Sequence, residues 1–217
     1  LVRHGATQLS AEDRFAGSID PDLSEVGIFQ AERLAVRLSD DNITAAYCSP
    51  MVRTVHTATI LARPHGITPI LRDGLREISH GHWEGKRRSD VEAQCPEEYA
   101  AWEEDPFTFA PRDGEAGVNV IARALPVIRE IVLNHRGENV LVVSHKATLR
   151  LLISSLLGFD ARGYRDRLDQ SPACLNVLDL KDPVRARLML FNDVSHYVDQ
   201  PALSVGRLSK WWDTSGG

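Results

Sequence analysis

Arg3-His4, Arg53, Glu77 and His145 are residue types that can transfer a phosphoryl group, and they stand at corresponding places along the chain. Three of the places are junctions where an expected strand gives way to a loop or helix: Arg3-His4 after the stub Leu1-Val2, Arg53 in the first helical turn after a strand ending near Cys48, and His145 after a strand over 140–143. In an open α/β sheet the carboxyl ends of the strands converge on one edge, where ligands bind. The fourth place, Leu75-Arg76-Glu77-Ile78 with Gly81, Trp83, Glu84 and Gly85 behind it, puts a carboxylate on the loop after the next strand. A phosphate monoester is strongly anionic and spreads charge over its equatorial oxygens during transfer, so catalysis needs fixed positive groups around it. Arg3 and Arg53 supply planar, permanently charged forks. Two guanidinium groups beside His4 keep its imidazole neutral, which leaves a ring lone pair for in-line attack on phosphorus. His145, protonated once phosphate is bound, adds a third positive donor. Glu77 protonates the leaving oxygen in a first step and takes a proton from water in a second. The set calls for no metal and no cofactor.

Elements that can position these residues follow from apolar periodicity, which switches between about 2 and about 3.6 residues, the rhythm of an α/β fold. Ser24 is expected to cap a helix whose inner face carries Ala31, Leu34, Ala35 and Leu38. A strand over 43–48 runs into Ser49-Pro50, expected to start a helix that ends near Ala62. A short strand over 67–71 precedes the His- and Gly-rich loop, and Ser89 and Glu92 have capping-box spacing. Further helices are expected around Tyr99 and Trp102, over 118–135 with a bend at Pro126, and over 148–157 with Gly158 as its stop. Segments 175–180 and 187–191 are expected strands, hairpin-like about Asp182-Pro183.

The 217 residues, 43% hydrophobic and 25% charged, suffice for one sizeable core and read as a single domain over 1–217. A net charge of -5 argues against nucleic acid or an anionic membrane as the main partner, so any anion site is a local pocket. Cys48, Cys95 and Cys174 form neither a disulfide framework nor a zinc motif by spacing, which fits a reducing cytoplasm. No run reaches the roughly 18 apolar residues that span a bilayer. Leu1 falls inside an expected strand, so residues upstream of it are expected.

These segments resemble the histidine phosphatase superfamily, the phosphoglycerate-mutase-like enzymes, over nearly the whole chain. The resemblance rests on Arg3-His4-Gly5, Leu23-Ser24-x-x-Gly27, Cys48-Ser49-Pro50-x-x-Arg53, Leu75-Arg76-Glu77 and Val142-Val143-Ser144-His145. It implies a three-layer αβα fold with a mostly parallel central sheet. It further implies that His4 is the phosphorylated nucleophile, that Arg3, Arg53 and His145 clamp the phosphate, that Glu77 donates the proton, and that Thr7 helps to hold an oxygen. Three departures stand out. Ser10 occupies a place where the family often has Asn, Lys146 one where it often has Gly, and Ser79, His80 and His82 a loop that is often acidic. Ser10 and Lys146 are accordingly candidate phosphate or substrate contacts.

The activity implied is a metal-independent phosphatase of the cytoplasm acting on a small phosphorylated metabolite, and a homodimer is compatible with such folds. A phosphoglycerate mutase shares the first chemical step. The short stretch between Gly85 and the long helix, with Pro96-Glu97-Glu98-Tyr99, Trp102 and 111–115, resembles the phosphatase branch, and by that likeness Glu115 faces the substrate. A non-catalytic phospho-ligand-binding module is the reading from another class; it would need neither His4 nor Glu77. His80-Gly81-His82 could be half of a metal site but shows no third and fourth ligand by spacing, Lys86-Arg87-Arg88 reads as a surface run or a steering rim, and Trp211-Trp212 as a packing anchor.

Overall fold

Residues 1–11 and 14–198 are described by a computed structural model, and the tryptophan pair at 211 and 212 lies outside them. Six strands form one sheet in the order β3-β2-β4-β1-β5-β6. They are β1 (Val2–Arg3), β2 (Ile43–Cys48), β3 (Ile70–Leu71), β4 (Asn139–Ser144), β5 (Leu175–Leu180) and β6 (Ala186–Asp193). The first four are parallel neighbours, and the β5–β6 hairpin runs antiparallel at the β1 side. The helices are α1 (Gln8–Ala11), α2 (Glu25–Leu38), α3 (Val52–Ala62), α4 (Arg88–Gln94), α5 (Pro96–Glu104), α6 (Gly117–Asn134), α7 (Lys146–Leu157) and α8 (Tyr164–Arg167). Among the described residues no helix is long and apolar enough to cross a membrane.

Strands buried on both faces need apolar residues at successive positions, and β4 supplies Leu141, Val142 and Val143. Leu141 and Val143 join Ala46 and Cys48 in a core with Ala31, Leu34, Ala35 and Leu38 of α2 and Ala58 and Leu61 of α3. Val142 and Tyr47 point the other way, into a core with Ala124, Ile128 and Ile131 of α6 and Leu152 and Leu156 of α7. The sheet is thus the middle of three layers, as expected. A third cluster, Phe15, Trp83, Val91, Tyr99 and Trp102, sits under α4 and α5 beside the main body.

Several boundaries differ from expectation for physical reasons. Helix α3 starts at Val52, two residues beyond Pro50: among the amides there the Ser49 hydroxyl reaches only Met51 N, at 3.4 Å, and Asp20 caps the helix from a distant loop, both carboxylate oxygens accepting from Val52 N at 2.9 and 3.0 Å. Ser89 caps nothing: α4 already begins at Arg88, with Arg87 at its N-cap and no side-chain bond there. The strand expected over 67–71 pairs with β2 only at Ile70 and Leu71. Ser24 does cap α2, accepting from Gly27 N at 3.2 Å.

Candidate active site

Parallel pairing of β2, β4 and β1 places three chain segments side by side at their carboxyl ends. His4 N donates to Ser144 O at 3.1 Å, and Ser49 N donates to Val143 O at 3.1 Å. His4, Ser49 and His145 therefore emerge together. The two imidazoles meet edge to face with centroids 5.3 Å apart, and His145 Nε2 lies 2.8 Å from Ser49 Oγ. Arg3, His4, Arg53, Thr7 and His145 are all buried.

His4 is electronically set for attack. Burial first, then the Arg3 and Arg53 charges, hold its pKa well below the ordinary histidine value, against an opposing hydrogen bond to Gly5. The ring is therefore neutral near pH 7. Its Nδ1 lies 2.7 Å from Gly5 O, a carbonyl that can only accept, so Nδ1 carries the proton and Nε2 keeps the lone pair. His145 is likewise held low, by burial and then by His4 and the surrounding arginines. Its Nδ1 and Arg3 Nε are buried with no hydrogen-bond partner among the described residues, so the pocket has polar capacity to spare for a ligand.

Arg53 does a second job that its sequence position did not reveal. Its guanidinium donates to Ile19 O at 2.9 Å and Gly17 O at 3.2 Å, and pairs with Asp20 at 3.3 Å, so the positive group is locked in place by the loop it anchors. Arg3 is fixed through Nη1 to Gln170 O at 2.7 Å.

Glu77 lies at the amino end of α7, where its carboxylate accepts from Thr148 N at 3.2 Å and Ala147 N at 3.3 Å, while the Thr148 hydroxyl, 3.2 Å from the same carboxylate, donates to Arg76 O at 2.7 Å. A helix amino terminus is a natural seat for an anion. The carboxylate is near enough to Arg3 and Arg53 to favour their charged forms. Neighbouring Glu84 is a tie between loops: its Oε1 accepts from Ser18 N at 2.9 Å, His80 N at 3.0 Å and Ser79 Oγ at 3.0 Å. Of the two carboxylates only Glu77 sits on α7 beside His145.

Arg123, which sequence reading did not single out, braces the Glu77 loop from α6. It donates to the carbonyls of Gly74 at 2.8 Å, Arg76 at 2.8 Å and Glu77 at 3.1 Å. Glu115, expected to face a substrate, instead grips Arg123 bidentately at 2.7 and 2.8 Å. Lys146 opens α7 half-buried and pairs with Asp169 at 3.2 Å, which also binds Arg150 at 2.9 Å. Ser10 lies in α1, and its side chain is outside what is described. His80 turns onto Phe15, with ring centroids 4.7 Å apart, while Arg88 of the basic run stacks over Trp102 at 5.4 Å instead of lying free on the surface.

The nucleophile loop is also pressed against α2. A Cβ on Gly27 would meet Ala6 O at 2.1 Å, and one on Gly5 would meet Gly27 O at 2.4 Å. Gly27→Ala is therefore expected to push the backbone that carries His4, with a stability loss of about 1–3 kcal/mol and a fall in kcat. Denaturant midpoint and turnover measured on one preparation check both.

A pH effect on folding follows from the same burial. Folded His4 and His145 take up protons less readily than the ordinary value near 6.5, and His80 is pushed down to about 4, chiefly by desolvation. Between those values and 6.5 the unfolded chain holds more protons than the native one, so stability rises with pH there and is lost as pH falls. Thermal unfolding of the ligand-free protein is expected to drop between about pH 7 and about pH 5; a Tm unchanged across that window would contradict the burial argument.

Comparison with known proteins places this geometry. Residues 1–194 match the family model described as histidine phosphatase superfamily (branch 1). The chain is 36% identical over 160 residues to phosphoserine phosphatase 1 of Hydrogenobacter thermophilus, covering 74% of this chain and 76% of that one. It is 30% identical over 181 residues to the adenosylcobalamin/alpha-ribazole phosphatase of Escherichia coli, covering 83% and 88%. Against 31%-identical proteins of Mycobacterium bovis and Mycobacterium tuberculosis it spans about half of their length, 54%. A mycobacterial glucosyl-3-phosphoglycerate phosphatase solved with inorganic phosphate superimposes with a TM-score of 0.80 at 28% identity, over 91% of this chain and 97% of that one. With its sheet order, its paired strand-end histidines and this match over most of its length, the chain belongs to branch 1 of the histidine phosphatase superfamily and is a phosphatase of that family.

Proposed function

We propose that the chain hydrolyses a small phosphomonoester metabolite, a sugar phosphate or similar compound, through a phosphohistidine formed on His4. The observation that carries this reading is the neutral His4 whose Nδ1 proton is committed to Gly5 O, so that Nε2 is free to attack. Arg3, Arg53 and His145 hold the phosphoryl oxygens, with Thr7 in the same loop. In the first step Nε2 forms a bond to phosphorus while the P–O bond to the alcohol breaks, and Glu77 gives that oxygen a proton. In the second, water attacks the phosphohistidine, Glu77 takes the water proton, and phosphate and neutral His4 are regenerated. The charges come from the side chains themselves, so turnover is metal-independent.

Lys146 and Arg150 together outweigh the one carboxylate, Asp169, that they share. Burial first, then the Arg150 and Arg3 charges, push the Lys146 ammonium down to about 8, and burial and the Arg3 charge likewise lower Arg150. This surplus beside the phosphate clamp suits a substrate with a second anionic group. Lys146→Ala is expected to raise KM several-fold for phosphomonoesters that carry a carboxylate and to leave KM unchanged for p-nitrophenyl phosphate; equal effects on both would remove the second-anion reading.

The direct test is a panel of metabolite phosphates, with His4→Ala as blank, followed by alkaline quench of turnover with the best labelled substrate. Label held on His4 as acid-labile phosphohistidine is expected. Turnover without protein-bound label, or activity abolished by a chelator, would overturn the reading, and transfer of the label to another hydroxyl of phosphoglycerate would make the enzyme a mutase.

A further inference from the structure

The loop beyond Glu77 carries a second cluster that the phosphatase chemistry does not use. We propose that His82, Cys95 and Glu98 bind a zinc-type divalent metal ion that clamps the turn after Glu77 to the junction of α4 and α5. His82 lies in a tight turn, Gly81–Trp83, Cys95 sits between the two helices, and Glu98 is in the first turn of α5. His82 Nε2 is 3.0 Å from Glu98 Oε2 and 3.8 Å from Cys95 Sγ, and all three ligand atoms lie within 4.8 Å of one another. Tetrahedral zinc with ordinary bond lengths needs ligand separations of about 3.3–3.7 Å, so the three donors reach it by movements on the order of 1 Å.

The surroundings orient the donors. His82 Nδ1 faces Arg112 O at 3.1 Å, and the His82 amide donates to the same carbonyl at 3.2 Å. A carbonyl only accepts, so Nδ1 holds a proton, and Nε2 is the ring nitrogen turned toward the thiol and carboxylate. Gly81 makes this contact possible: its φ is +53°, and a Cβ there would meet Arg112 O at 2.1 Å. Trp83 Nε1 donates to the same oxygen, Glu98 Oε2, at 3.2 Å and so helps to fix the carboxylate.

Nε2 stands 3.0 Å from the carboxylate oxygen, a contact that a proton on Nε2 satisfies in the metal-free protein and that a cation held by both groups would replace. A sulfur donor as third neighbour selects a borderline-soft metal over magnesium or calcium. All three residues are only half-buried, leaving the fourth position to water. His80 points away onto Phe15 and is not one of the donors. The role of the ion is to pin the aromatic cluster of Trp83, Tyr99 and Trp102.

The test uses the full chain stripped with chelator and titrated with Zn2+ by calorimetry and with Co2+ by absorbance. One ion per chain, a thiolate-to-cobalt charge-transfer band and a metal-dependent rise in Tm are expected. His82→Ala and Cys95→Ser should each weaken binding by at least the roughly 10- to 100-fold that loss of an outer-shell partner costs, and Cys95→Ser, which removes the thiolate, should abolish the band, with p-nitrophenyl phosphate turnover unchanged. His4→Ala should keep both, which separates this site from metal held by the active-site histidines. Absence of the charge-transfer band from the wild-type protein, or binding unaltered in Cys95→Ser, would overturn the proposal without reference to whether any variant folds, and neither result bears on the phosphohistidine mechanism.

Discussion

Exchange of His4 for Ala is expected to lower kcat for every phosphomonoester by at least about 10³-fold, because the change removes the atom that bonds to phosphorus. The rest of the pocket stays in place. Arg3 is held by Gln170 O and Arg53 by the carbonyls of Gly17 and Ile19, none of which depends on the imidazole. The variant should therefore still bind inorganic phosphate, seen as a phosphate-dependent rise in Tm close to that of the wild type. Removing a ring whose charged form burial first, and then the arginines, disfavour takes away one group that resists protonation, so the fall in stability toward acid pH should be shallower in His4→Ala. Lost turnover with retained phosphate binding is the signature of a nucleophile. Turnover at the wild-type rate would end the mechanism, and loss of both together would mark His4 as a packing residue.

The residues of the clamp were legible because one rule covers them: strands of a parallel sheet present their carboxyl-end residues on one edge. Arg3, His4, Arg53 and His145 each follow a recognisable strand, and the fold duly gathers them. What escaped was everything held by partners far apart in sequence. Ser49 before a proline looks like a helix cap, yet its hydroxyl goes to His145 Nε2, 96 positions on, and the capping falls to Asp20. Ser89 and Glu92 have the spacing of a capping box, but the chain enters α4 two residues too early for it. Arg123 had no local signal, since a brace on three carbonyls of the Glu77 loop is defined only when α6 packs there. The His82, Cys95 and Glu98 cluster was equally hidden. Its members obey no standard ligand spacing, and His80, their apparent companion, is drawn away by Phe15 and Trp102.

Glu77→Gln offers the sharpest separation of roles, because its effect should depend on the leaving group. An alkoxide is a poor leaving group and needs the proton, so kcat for an alkyl phosphate is expected to fall by about 10²–10⁴-fold. A nitrophenolate leaves without help, so formation of the phosphohistidine from p-nitrophenyl phosphate should be nearly unaffected. The second step still requires a base to take the proton from water, and an amide cannot do so. The variant should then release a burst of nitrophenol equal to the enzyme present and accumulate phosphohistidine. Structure is largely preserved by the substitution: the amide oxygen can replace Oε1, which accepts from Ile78 N and Thr148 N. Only the bond from Ala147 N to Oε2, a long one at 3.3 Å, loses its acceptor. A burst on the aryl substrate with deep loss on the alkyl one assigns both proton transfers to Glu77. An equal loss on the two substrates with no burst would move the proton transfers to another group, and Glu77 would then serve to seat α7 and the His145 that precedes it.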